Sequence, residues 1–391
     1  MQAVRTRPPT AGHLDQVDLL RLLTFSAVIA VHSIDFTQTG ASQVAAGTLM
    51  VLQFGRAVFF ALTGFVLVYS TRARTVAVRP FWRRRFPYVL VPYIAWTVVY
   101  YVFGELTSPA PQLSWGALGG HLLNGDAQYH LYFLLVTLQI YLVFPWLVQF
   151  VRATAARAWW VLAAAAAVDL AWLAELQYGA APSGWAGQLW SRSYELLPTY
   201  LVYVLAGCYA AVHFDRVAAF VSRRGGALLV AGAAGLVAAE AVYAVQLGSD
   251  PPRVAGAVLQ PVMMAASFGA LLILVVVCQQ WAAGPRAGRR LIERASDVSF
   301  GVYLAHPLVL SVLLMNGLGL DGRRIPALVA AVLAMAGTAM GACLISLVAR
   351  RTPLSLALTG RAWHRRPVIV SPVSTQAPSS AIASSVTTMT P

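Results

Sequence analysis

Arg21 and His32 stand ten residues apart in an otherwise apolar segment near the start of the chain. On a helix, eleven steps of about 100° come to three turns plus roughly 20°, with a rise of about 16.5 Å. The two side chains therefore share one face, and they sit at opposite ends of it. An arginine supplies permanent charge and a forked set of donors, whereas an imidazole, with a free pKa of about 6.5, exchanges a proton near neutrality. Asp35 follows one turn after His32 on a similar face. Ionisable groups at depth in a bilayer are costly, so these three residues are the first candidates for proton-transfer chemistry. A snorkelling arginine and a packing histidine are the structural alternative.

Arg83, Arg84 and Arg85 run consecutively. Such a cluster suits bidentate contacts to phosphate oxygens, or else a loop held inside the cell against anionic lipid. His306, with Tyr303 one turn earlier, lies within a late apolar stretch, and His130 and Tyr132 mark the start of another. Cys208, Cys278 and Cys343 are scattered through apolar runs, which suits buried thiols and excludes a CxxC metal or redox site; no metal centre is expected. All 28 basic residues are Arg, which excludes Schiff-base and lysine-base chemistry.

The elements that must position these groups follow from composition. A chain of 391 residues that is 59% hydrophobic and 11% charged is a polytopic membrane protein, not a set of soluble domains. Apolar runs of about 17 to 25 residues predict about ten transmembrane helices near 18–35, 48–70, 86–104, 130–151, 158–176, 195–212, 226–247, 257–281, 297–315 and 326–349. The fold class is thus an all-α membrane bundle. With the N-terminus inside, 22 arginines fall in inner segments and four in outer loops, so the positive-inside rule predicts an N-in, C-in protein. A net charge of +14 in short clusters between apolar stretches reads as topology and excludes nucleic acid as a partner. The first stretch holds Arg21 and His32 and no small-residue cleavage site follows, so it reads as a retained helix and not a signal peptide. The expected organisation is a cytoplasmic segment over 1–17, a membrane domain over 18–366, and a disordered cytoplasmic tail over 367–391, rich in Ser, Thr, Pro and Ala. Trp159, Trp160, Trp185 and Trp190 read as interfacial anchors.

Several motifs in order resemble the membrane acyltransferase 3 family. Its first helix has Arg, ten residues, then His, as at Arg21 and His32. Phe59-Phe60-Ala61-Leu62-Thr63-Gly64-Phe65 is similar to the family's FFxxSGF, with Thr63 in place of Ser. Phe81-Trp82-Arg83-Arg84-Arg85-Phe86, continuing to Val91-Pro92-Tyr93-Ile94-Ala95-Trp96, resembles its basic loop and IPYxxW entry. His130 to Leu134, with Gln139 to Pro145, resembles the branch related to polysaccharide intercellular adhesin and enterobacterial common antigen acylation. Ser299-Phe300-Gly301-Val302-Tyr303-Leu304-Ala305-His306-Pro307 is similar to its SxGIYLxHP helix. The likeness covers roughly residues 14 to 361. Thr137 and Leu138 stand where the larger branch has a Glu pair, and Tyr88 stands where a second Arg of its Arg-x-x-Arg would be. No segment resembles the SGNH hydrolase-like domain fused to some relatives.

The resemblance implies acyl transfer from cytoplasmic acyl-CoA, most often acetyl-CoA, to a hydroxyl at the outer side of a bacterial cytoplasmic membrane. The acceptor would be a saccharide, a glycolipid or a secreted metabolite. In that reading acyl-CoA is a co-substrate and no cofactor is permanently bound. His32 serves as general base, or carries the acyl group itself, with Arg21 and Asp35 beside it. Arg83, Arg84, Arg85, Tyr303 and His306 hold acyl-CoA, while His130 and Tyr132 meet the acceptor. From the residues alone, ten helices with buried charges equally suit an exporter or flippase of a polysaccharide or small metabolite. The oligomeric state is not legible.

Overall fold

The computed structural model describes residues 13–38, 42–72, 74–285, 287–316 and 325–363. Most of the expected segment 1–17 and all of the expected tail 367–391 lie outside the described residues. The helices run in order α1 (Asp15–Thr37), α2 (Gln43–Leu52), α3 (Gly55–Thr71), α4 (Val78–Arg85), α5 (Pro87–Thr107), α6 (Trp115–Asn124), α7 (Tyr132–Ala153) and α8 (Ala158–Tyr178). They continue as α9 (Gly184–Ser191), α10 (Leu201–Val212), α11 (Phe214–Gln246), α12 (Pro252–Ala255), α13 (Val262–Ala283), α14 (Arg289–Met315), α15 (Ala327–Ala349) and α16 (Ser355–Thr359). Among the described residues there is no strand. Nine helical stretches there are long and apolar enough to cross a membrane, and Leu197–Val212 is a shorter apolar one. The chain is an all-α, multi-pass membrane bundle.

Local chemistry explains where the elements depart from the apolar runs. The single helix expected over 48–70 starts earlier, where the Ser42 hydroxyl accepts from the Ala45 N–H at 3.2 Å, and it breaks between Leu52 and Gly55. The span expected over 195–212 opens in two 3₁₀ turns, Ser193–Glu195 and Leu197–Tyr200, the second carrying Pro198 near its start, so the α-helical part is only 12 residues. His130 falls in the turn before α7 and not within a helix. That turn is reached through Gly125, whose φ of 70° ends α6 in the left-handed region. Helix α14 begins at Arg289, eight residues before the expected start, and its first two turns carry the arginines of the inner rim.

Helix α1 is the axis of the site, packing on α14, α15, α13, α2 and α3. Asp15 and Asp18 in its first turn complement the helix dipole and tie it to α14. Arg289 Nε donates to Asp15 at 3.1 Å and Ser296 Oγ donates to Asp18 at 2.8 Å. Behind α1, helices α3 and α10 approach until their backbones touch. A Cβ added at Gly207 would collide with the Ala61 carbonyl oxygen, and one at Gly64 with that of Val204. Gly64 is the glycine of the Phe59 to Phe65 motif, so that motif's glycine serves close helix packing. We expect Gly207→Val to abolish recovery of folded protein, because the clash is with backbone and no rotamer relieves it. Gly104→Val, whose added carbon meets nothing within 4 Å, is the control expected at wild-type yield in size-exclusion chromatography of detergent extracts.

Candidate active site

The site is built around a proline. Pro307 lies inside α14 and has no N–H to give the carbonyl four residues back, that of Tyr303. His306 Nδ1 takes that place at 2.5 Å. A carbonyl only accepts, so the proton sits on Nδ1 and neutral His306 keeps its lone pair on Nε2. One residue further the helix ladder is opened by a neighbour: Tyr100 Oη, from α5, donates to the Leu304 carbonyl at 2.7 Å and accepts from the Leu308 N–H at 3.3 Å. The hydroxyl thus replaces a direct helical bond and satisfies both ends. The Val91 to Trp96 motif and the residues after it place three donors along α5. Tyr93 Oη reaches the Leu122 carbonyl at 2.7 Å, Trp96 Nε1 that of Leu358 at 3.2 Å, and Tyr100 the kink.

Three histidines from three segments meet at this kink. The His306 ring centroid is 5.5 Å from that of His32 on α1 and 5.2 Å from that of His130 before α7. The Tyr129 ring packs on His32 in a tilted contact, with centroids 4.1 Å apart. Tyr303 fixes the turn by donating to the His130 carbonyl at 2.7 Å. The His306 Nε2 and Tyr129 Oη atoms are buried and without a hydrogen-bond partner among the described residues. Neither ring nitrogen of His130 has a partner of good geometry there, although the Leu304 carbonyl lies close enough to favour a proton on it. Burial, then the neighbouring His306 and His32, hold the His130 pKa well below the usual imidazole value, so it is neutral at physiological pH. Burial and the Asp35 carboxylate push the Tyr129 hydroxyl well above its usual range. His32 makes no hydrogen bond among the described residues, so both of its ring nitrogens are available to a substrate.

On the Arg21 side of this cluster lies a cavity of about 230 Å³ with Arg21, Thr63, Tyr88, Thr137 and Tyr141 among its lining residues. Phe25, Phe59 and Phe133 also line it. Their rings pack on one another, and those of Phe25 and Phe133 lie 5.4 and 5.6 Å from Tyr303. A single aromatic layer therefore separates the Arg21 cavity from the histidines. Arg21 itself is anchored, 3.5 Å from Asp18 and donating to Ser296 Oγ at 3.2 Å.

The candidate residues from the sequence divide accordingly. His32, His130, Tyr303 and His306 come together, and Arg21 stands one cavity away on the same helix. Asp35 is exposed, lies 3.7 Å from Arg253 and acts on Tyr129, the ring that packs on His32. Arg85 reaches Ser70 at 3.5 Å and acts on Tyr141 at the cavity wall, while Arg83 and Arg84 are exposed on α4. Tyr132 turns away from the histidines toward Tyr194, at 5.2 Å. Sequence reasoning missed Tyr129 and Tyr100. Tyr129 carried no signal beyond its place before His130, and Tyr100 only its spacing of seven from Tyr93. Trp159, Trp160 and Trp185 are exposed on the bundle surface, as membrane-interface anchors must be. Among the described residues no cluster of His, Cys, Asp and Glu is arranged to hold a metal.

The helical membrane bundle thus sets a cluster of three histidines beside a cavity that Arg21 lines. Residues 14–347 match the acyltransferase domain that defines the acyltransferase 3 family, and the chain belongs to that family. No curated protein and no solved structure matches it.

Proposed function

We propose that this acyltransferase moves an acyl group, most simply acetyl, from cytoplasmic acyl-CoA to a hydroxyl of a saccharide or glycoconjugate at the outer side of the cell membrane. The observation that carries this reading is the aromatic layer with Arg21 on one side and an unpartnered His32 on the other. Acyl-CoA enters from the inner rim, where Arg85 and its neighbours meet the phosphates by charge-assisted bonds. Its pantetheine arm runs along the Arg21 cavity, past the Thr63 and Thr137 hydroxyls, and presents the thioester at the layer. The acceptor hydroxyl comes from the outer side. As its oxygen attacks the thioester carbon, neutral His32 takes its proton; the C–S bond then breaks and the thiolate leaves as CoA, protonated from the histidine or solvent. General-base help of this kind is typically worth about 10² to 10⁴ in rate. His306, with its Nε2 lone pair, and neutral His130 hold the acceptor by hydrogen bonds.

Incubating the protein in nanodiscs with labelled acetyl-CoA and candidate saccharides tests this directly. Label recovered in the saccharide supports the reading, and transport of the saccharide without label overturns it in favour of an exporter.

Orientation is tested separately in a Cys343→Ala background, since Cys208 and Cys278 are buried. Gln112 and Thr75 are both exposed, in the loop after α5 and the segment after α3. Gln112→Cys is expected to react with an impermeant maleimide from outside intact cells, and Thr75→Cys only after the membrane is opened. The reverse pattern would place the arginine cluster away from the nucleotide.

A further inference from the structure

Arg56 is the charge that the proposed mechanism leaves unused. It sits in the first turn of α3, just past the break after α2, within a membrane-spanning stretch. A cation there faces the positive end of the helix dipole and has left bulk water, so both electrostatic effects oppose its placement. A carboxylate partner would offset the cost, yet among the described residues none lies within ion-pair distance. Its one hydrogen bond of good geometry among the described residues is to the Gln53 side-chain oxygen, at 3.2 Å. The hydroxyls of Tyr132 and Tyr200 face it. Asp169 and Glu240, the acids within nearby apolar helices, do not neutralise it: both oxygens of Asp169 and one of Glu240 are buried without partners. The Asp169 carboxyl acts on Tyr203 instead.

The guanidinium opens on a recess of about 30 Å³. That is room for about two water-sized groups, the size of a carboxylate or of part of a phosphate. Gln53, Thr199, Tyr200, Tyr203 and Ser267 supply its polar wall. The wall comes from the start of α3, the later part of α8, the 3₁₀ turn before α10 with the start of α10, and the start of α13 with the residues before it. Tyr132 stands between Arg56, which it faces, and Phe133, whose ring is 6.3 Å away and lines the Arg21 cavity. Arg56 also acts electrostatically on His32.

We propose that Arg56 is the anion subsite of the acceptor: the saccharide that this enzyme acylates carries a carboxylate or phosphate, which Arg56 and the surrounding hydroxyls bind in the recess beside His32. This rests on the outward-facing acceptor site proposed above. The buried cation is then unpaired only until substrate arrives, and a neutral sugar that leaves it unpaired is rejected.

Binding without acyl-CoA separates this inference from the catalytic one. Protein in nanodiscs is titrated by microscale thermophoresis with two matched pairs, p-nitrophenyl β-glucuronide against the β-glucoside, and glucose 6-phosphate against glucose. The wild type is expected to bind the anionic member of at least one pair about tenfold or more tightly, and the pair that shows it tells carboxylate from phosphate. Arg56→Gln should lose the preference, Arg56→Lys should keep part of it, and His32→Ala should keep all of it. A wild type with no preference in either pair overturns the proposal without recourse to any variant, as does an Arg56→Gln protein that elutes as a monodisperse species and still prefers the anion. A His32→Ala protein that keeps both the preference and acyl transfer would instead count against the role of His32 alone.

Discussion

His32→Ala is expected to lower kcat for acyl transfer by about 10² to 10⁴, or to below detection, with little change in acyl-CoA affinity. The bundle should remain intact. The imidazole makes no hydrogen bond within the described residues, and its losses are a close tilted ring contact with Tyr129 and a stacked, more distant one with His306. Aromatic pairs of that kind are worth about 0.5–1.5 kcal/mol each, small against a bundle of this size. Activity within twofold of wild type in a single-turnover assay with labelled acetyl-CoA would remove His32 from the chemistry. A pH profile supplies the companion test. A neutral base loses function as it gains a proton, so the wild-type rate should fall only on the acid side, and a chemistry-limited rate that instead rises as the pH is lowered would be incompatible with an imidazole base.

Much of this site could be read before any coordinates. The shared face of Arg21 and His32 depends only on helical periodicity, and α1 runs unbroken through both residues. The membrane spans follow from apolar length, and their number was legible although their ends were not. Where ends moved, as at Ser42 before α2 and Pro198 before α10, the cause was a cap or a proline, not hydropathy. What periodicity could not supply was the meeting of remote segments. Tyr100 and the Leu304 carbonyl are 204 residues apart, and Tyr303 and the His130 carbonyl 173. Nothing local to either residue announces such a bond. The His306-Pro307 pair held a signal that residue-by-residue reading passes over: a proline frees a carbonyl, and a histidine directly before it is placed to take that carbonyl and fix its own tautomer. Asp35 shows where spacing stops: one turn from His32, it lies exposed near the end of α1, 3.7 Å from Arg253.

The arginine run on α4 gives the second large effect, and the structure grades its members. Phe81 is the buried residue of α4 and stacks 4.9 Å from Phe144. Arg85, four residues on, lies within about 40° of it around the helix, whereas Arg83 lies about 160° away. Arg85 is therefore the member turned toward Tyr141 and the Arg21 cavity, and Arg83 faces away from it. If the acyl-CoA phosphates enter here, Arg85→Gln removes a charge-assisted contact of about 1.5–3 kcal/mol and should raise KM for acyl-CoA about tenfold or more, with kcat nearly unchanged. Arg83→Gln should change it by less than about twofold, and Arg84→Gln should fall between them. A general loss of positive potential at the inner rim would affect all three equally, so the ranking is the discriminating result. Calorimetry with a non-hydrolysable acyl-CoA analogue reads affinity free of turnover. If Arg85→Gln binds the analogue as tightly as wild type, the run serves membrane topology alone, and the nucleotide must enter on the opposite wall of the cavity, where Gly360 lines it and Arg361 acts on Arg21.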